Sequence, residues 1–217
     1  MFNFKQVEKL SIKKKLILLT VMSSSVILFI ASVLFSLNYY KYLYAERQVL
    51  MKNITQSTYH TIQMYVEKVN NGEMTKADAQ KHVVNMINKI RFLDDRGYFF
   101  VYDLDGVCVT IATRQELAGK NRIDAVDSKG VYYIKEMIKT VSSSEGNGFL
   151  TYETVKPGED EDKAFPKISY VQKIPEWGWL IGTGDYIDDI NHQVLNSLLP
   201  VIGAGLLAML AIIYLSL

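Results

Sequence analysis

At 217 residues, with 49% hydrophobic and 22% charged side chains, the chain is neither a disordered tract nor a collagen-like one. The 24 Lys and Arg against 23 Asp and Glu leave a formal net charge of +1, which gives no electrostatic ground for clamping nucleic acid. A single cysteine, Cys108, excludes an intramolecular disulfide and a Cys-rich zinc module, and His60, His82 and His192 stand singly without metal spacing, so no metal or cofactor is expected.

The apolar residues gather at the two ends. From Leu16 through Asn38 the chain reads LILLTVMSSSVILFIASVLFSLN, about 23 residues without a charge, against the roughly 20 needed to cross a bilayer. Residues 195–217, LNSLLPVIGAGLLAMLAIIYLSL, are equally long and uncharged, and both segments are predicted transmembrane helices. The first exceeds the roughly 7–15 apolar residues of a cleaved signal peptide and no small-x-small site follows it, so it is expected to remain as an anchor. Lys5, Lys9, Lys13, Lys14 and Lys15 precede it, whereas Lys41 and Arg47 beyond it are interleaved with Glu46. The positive-inside rule then places residues 1–15 in the cytoplasm and residues 39–194, a single domain, outside it. The chain stops on Leu217 while still apolar, as expected of a longer protein cut short at this point.

Within the outward domain Leu43, Leu50, Ile54, Thr61 and Tyr65 recur at helical spacing without Pro or Gly until Gly72, which predicts a long amphipathic helix continuous with the first span. Thr75 and Asp78 form a capping box that opens a second helix through about Ile90. The period then changes to two. Tyr98, Phe100 and Tyr102 face one side of a strand and Phe99 and Val101 the other, Asp105-Gly106 turns, and Val107, Val109 and Ile111 continue as the partner strand. A short helix capped near Asp127 or Ser128 carries Tyr132, Tyr133, Ile134, Met137 and Ile138, and strands are expected over 148–155, 166–174 and 179–186. Long helix, short helix and an antiparallel sheet of about five strands make an α+β fold.

The run RGYFFVYDLDGVCV, then ELAGKN, then PKISYVQKIPEWGWLIGTGDYIDDI, between two membrane spans, resembles the single-Cache sensor domain of bacterial methyl-accepting chemotaxis receptors and sensor kinases. The resemblance implies a PAS-like sheet with the long helix on one face and a small-molecule pocket on the other, a homodimer along the long helices, and small organic acids as ligands. It implies ligand contacts at Arg91 and Phe92, at the aromatic first strand through Tyr98, Phe100 and Tyr102, at Tyr152 and at Lys167. The family's frequent His-Pro pair is replaced by Ile111-Ala112, which leaves ligand identity open. A cation, phenolic donors and apolar walls are also what a short carboxylate needs.

Each of these residues has a plainer role to set against the functional one. Arg91 can cap the carbonyls at a helix end, Lys167 can be a solvated strand-entry charge, and the three aromatics can be core. Trp177 and Trp179 read as structural, Asp185 as an exposed carboxylate or a cap, and Cys108 as a buried strand thiol. No catalytic motif occurs, and the chain is expected not to be an enzyme. The expected function is a chemoreceptor of the bacterial inner membrane that signals through the second span to a cytoplasmic chemotaxis kinase and adaptor. The alternatives are the sensor region of a histidine kinase or diguanylate cyclase, or a ligand-free membrane scaffold.

Overall fold

A computed structural model describes residues 11–160 and 162–216. The placement of residues 1–10, with Lys5 and Lys9, in the cytoplasm and the terminal Leu217 lie outside the described residues. The first helix, α1, runs unbroken over Ile12–Asn70, so the first span and the amphipathic segment are one element, as their lack of Pro and Gly predicts. The chain divides into two compact units, Met1–Leu43 with Asp189–Leu217, and Tyr44–Asp188.

The first unit pairs the start of α1 with the last helix, which spans Asp189–Ser216. Both helices are long and apolar enough to cross a membrane, and side chains such as Leu19, Phe29 and Leu207 point outward, where lipid suits them and water does not. Inside the unit Ser25 Oγ donates to Met209 Sδ at 3.3 Å, and Leu28 packs so closely on Gly205 that a Cβ there would lie 2.3 Å from it.

In the second unit α2 covers Lys76–Ile87, with the Thr75 hydroxyl accepting from the Asp78 amide at 3.1 Å. It stops short of Ile90 because the Lys89 and Ile90 amides bond back to Met86 and Ile87, a tightened i−3 turn that ends the helix. The sheet comprises β1 (Phe99–Asp103), β2 (Cys108–Ile111), β3 (Asn147–Val155), β4 (Ala164–Ile174) and β5 (Trp179–Tyr186), ordered β2-β1-β5-β4-β3 and antiparallel throughout. Period-two alternation sorts its faces. Phe99, Val101, Trp179 and Ile181 pack with Ile62 and Val66 of α1 and Val83 and Ile87 of α2. Tyr98, Phe100, Tyr102, Val171 and Leu180 pack on the other face with Ile134, Met137 and Val141 of α3, which spans Tyr133–Val141; Asp189–Ser216 is α4.

Three local expectations are corrected. Val107, Val109 and Ile111 do not share a face: the register Phe100–Ile111, Val101–Thr110, Tyr102–Cys108 leaves Val109 as a bulge. The extra residue turns Cys108 and Ile111 both toward α3, while the Thr110 hydroxyl on the opposite face donates to Asn88 Oδ1 at 2.6 Å. Asp127 does not cap α3, whose first turn receives no side-chain bond. Its carboxylate accepts instead from the amides of Lys129 (2.9 Å), Val131 (2.8 Å) and Glu153 (3.0 Å), tying the preceding loop to β3. Asp185 is not exposed. It is buried on the α1 face of β5 and paired with Arg47.

Candidate functional site

A cavity of about 660 Å³ lies on the α3 face of the sheet. Its lining includes Phe100 and Tyr102 from β1 with Tyr98 just before it, Ile111 at the end of β2 with Ala112 just after it, and Tyr152 from β3. Leu117, Arg122, Tyr133 and Met137 come from the β2–α3 segment and α3, Arg91 from the exit of α2, and residues 154–159 from the end of β3 and the loop after it. On β5, Gly182 and Gly184 let neighbouring side chains pack closely over the strand: a Cβ would lie 2.5 Å from Phe100 and 2.2 Å from Ser169 Oγ respectively.

Arg91 caps carbonyls at the helix end and also lines the cavity. Nη1 donates to the carbonyls of Asn88 (3.1 Å) and Ile90 (2.7 Å) and Nη2 to that of Ala112 (2.6 Å), while the side chain lines the cavity. Three of its five N–H groups are thereby engaged, leaving one on Nη2 and the Nε–H for a guest. Ala112, where the family motif has its Pro, contributes a backbone acceptor that holds the guanidinium.

Lys167 is completely buried, not a solvated strand-entry charge. Its Nζ meets no hydrogen-bond acceptor among the described residues and stands among rings instead, 3.9 Å from the centroid of Tyr98, 5.2 Å from Tyr186 and 5.8 Å from Phe100. It does not line the cavity but adjoins Tyr98, which does. Burial pushes the Tyr98 phenol up, but the positive charge of Lys167 together with hydrogen bonding at the phenol outweighs this and leaves it below the ordinary phenol value. Tyr102 and Tyr152 feel burial without such a partner and are raised well above that value. Burial likewise pushes the Cys108 thiol up to about 11, so it stays protonated at neutral pH.

Tyr152 stacks on Tyr133 with centroids 5.0 Å apart, and the Tyr133 hydroxyl accepts from Arg122 Nη2 at 2.6 Å. Arg122, Tyr133 and Lys156 are lining residues that the sequence reading does not single out. Two expected site residues do not line the cavity: Lys167, which only adjoins it through Tyr98, and Phe92, which packs against Phe99 at 5.7 Å on the α1–α2 face, in the other core. Guanidinium and ammonium groups, phenolic donors and apolar walls from Phe100, Ile111, Leu117 and Met137 give the cavity the chemistry to hold a small anion with a hydrocarbon part.

The fold, a five-stranded antiparallel sheet with the long helix packed on one face and a cavity on the other, is assigned by comparison with known proteins. The family model of the Cache domain matches residues 3–204, and the chain belongs to that family. The sensor histidine kinase MctS of Rhizobium johnstonii is 30% identical over 148 residues, 68% of this chain and 30% of its own length. The methyl-accepting chemotaxis protein McpP of Pseudomonas putida is 24% identical over 173 residues, 79% of this chain and 31% of its own. The chain thus spans less than a third of either relative. Among solved structures, a periplasmic sensor domain of a chemotaxis protein matches with TM-score 0.63 and 28% identity over 66% of this chain and 97% of its own. A Cache chemosensory domain studied for carboxylic acid recognition matches with TM-score 0.63 and 29% identity over 68% of this chain and 98% of its own. The chain therefore carries a Cache sensor domain of the kind found in chemotaxis receptors and sensor kinases, flanked by helices able to span a membrane.

Proposed function

We propose that the chain is the sensing part of a chemoreceptor in the bacterial inner membrane. Residues 16–38 and 195–217 span the bilayer, and residues 39–194 form a ligand-binding domain outside the cytoplasm. The cavity binds a short carboxylate, and the signal passes along α4 to a cytoplasmic part that engages the chemotaxis kinase and adaptor. Arg91, Tyr98, Phe100, Tyr102 and Tyr152 contact the ligand, Lys167 supplies positive charge through Tyr98, and the domain itself catalyses nothing. The observation that carries this reading is one cavity that combines the Arg91, Arg122 and Lys156 cations with phenols and hydrocarbon walls. The likeness, at 29% identity, to a Cache domain studied for carboxylic acid recognition supports it. Homodimerisation along α1 is supported by Val49 and Met64, which leave apolar surface exposed on that helix.

Thermal unfolding of the full chain in lipid nanodiscs, with acetate or propionate and with acetamide as the neutral control, tests it. A ligand that binds only the folded form at a hundredfold excess over its Kd contributes about 2.7 kcal/mol. A rise in Tm with the acids and none with the amide is expected, and no rise with any acid overturns the reading. The identity to MctS favours a second reading, in which the same sensor drives a histidine kinase. Fusing the chain to a chemotaxis signalling part and to a kinase core, and asking which output the ligand alters, separates the two.

A further inference from the structure

Lys156 belongs to two places at once. It follows β3, lines the cavity, and is largely covered, with its side chain 16% exposed. Its Nζ lies 3.1 Å and 3.3 Å from the two carboxylate oxygens of Asp188, the residue directly before α4 begins. Phe165 and Tyr186 flank the ammonium with ring centroids at 5.4 Å and 5.5 Å, and the Tyr186 hydroxyl donates to the Val155 carbonyl at 2.5 Å. The cavity's edge is thus fastened to the end of β5 and to the residue that opens α4, and the ionic part of that fastening is one cation.

A largely covered ammonium holding one carboxylate is neutralised, and a second anion reaching it from the cavity must share it with the first. We propose that Lys156 is a cation shared between Asp188 and an anionic ligand, so that ligand binding loosens Asp188 at the entrance to α4. This rests on the carboxylate reading of the cavity. Because coupling is reciprocal, a ligand that weakens the Lys156–Asp188 pair is itself weakened by it. Removing the charge of Asp188 therefore strengthens ligand binding, whereas a merely structural pair gives no change or a loss.

The test is the affinity for acetate and propionate of the full chain in nanodiscs, in the wild type, Asp188→Asn, Lys156→Gln and the double variant. Asp188→Asn is expected to tighten binding at least about fivefold, the low end of usual coupling between sites. Lys156→Gln is expected to weaken binding, and in its background Asp188→Asn should change nothing, because the shared cation is gone. Asp188→Ser serves as the second charge-removing variant if Asp188→Asn does not fold. A wild type that binds neither acid overturns this inference together with the carboxylate reading. A wild type that binds, with charge-removing variants that bind equally or less well, overturns this inference alone.

Discussion

The Arg47 guanidinium reaches from α1 to the Asp185 carboxylate on β5, and that carboxylate is 1% exposed. The pair joins the long helix to the last strand across the face of the sheet opposite the cavity. Removing one partner leaves a buried charge without its counter-charge, which costs roughly 3–5 kcal/mol for fully buried pairs. Arg47 keeps some contact with water, at 15% exposure, so Asp185→Leu should lose about 3 kcal/mol, the low end of that range. The paired replacement Arg47→Met with Asp185→Leu should cost far less. Denaturant midpoints of the four chains in a double-mutant cycle check this, and an additive cycle would show that the two residues do not act together.

Asp185 also shows what the sequence makes legible and what it hides. The strands, the first helix and the two faces of β1 follow from periodicity, because alternation and helical spacing are local properties of the chain. The burial of Asp185 is not local: its partner is in α1, and nothing near either residue marks the pairing. The same holds for Arg122 and Lys156, which enter the site only because the segment after β2 and the end of β3 curve over one face of the sheet. The bulge at Val109 is equally silent, because it adds a residue without altering the hydrophobic pattern that announces a strand. Phe92 adjoins Arg91 in sequence, yet the chain between Phe92 and Gly97 folds back on itself, with positive φ at Leu93, Asp94 and Asp95, and the two side chains part.

Arg91 holds three carbonyls with two nitrogens, so it is both a brace and a ligand group. Arg91→Ala should weaken carboxylate binding by about 1.5–3 kcal/mol, the range for a hydrogen bond to a charged group. Arg91→Lys keeps the charge but not the planar fork, and cannot hold the carbonyls in the same arrangement. It should therefore recover little of the affinity in a calorimetric titration, and full recovery would mean that charge alone matters at this position.

Asp127 is set against acid. Burial raises its carboxyl, but the amides of Glu153, Val131 and Lys129 outweigh this and hold it below the ordinary value of 3.8. A folded-state value below the unfolded one contributes stability that is present above 3.8 and lost as pH falls through the folded value. Asp127→Ala leaves its amide partners without an acceptor and should cost about 1–3 kcal/mol at neutral pH. The gap in Tm between the variant and the wild type should narrow on acidification below 3.8. A gap constant down to pH 2 or so would mean that the ionised carboxylate is not what holds the loop.

The tyrosines around the cavity make the opposite claim in alkali, and Lys167 divides them. Tyr102, Tyr152 and Tyr186 are raised above 10.0 chiefly by burial, so their contribution is fully present below that pH and is lost as pH rises above it. Tyr98 alone among these is lowered, because burial is outweighed by the charge of Lys167, 3.9 Å from its ring, together with hydrogen bonding at the phenol, and its ionisation adds stability as pH climbs toward 10.0. Lys167→Met keeps a long apolar chain and removes the charge, so Tyr98 should join its neighbours above 10.0 and the variant should lose stability more steeply in alkali than the wild type. An ultraviolet absorbance titration should show one phenol ionising early in the wild type and none in Lys167→Met. Because Tyr98 lines the cavity, a bound carboxylate opposes a negative charge on it, and saturating acetate should push the early phenol upward. An early phenol that persists in Lys167→Met would assign the depression to some group other than Lys167, and one unmoved by a carboxylate known to bind would place the ligand away from Tyr98.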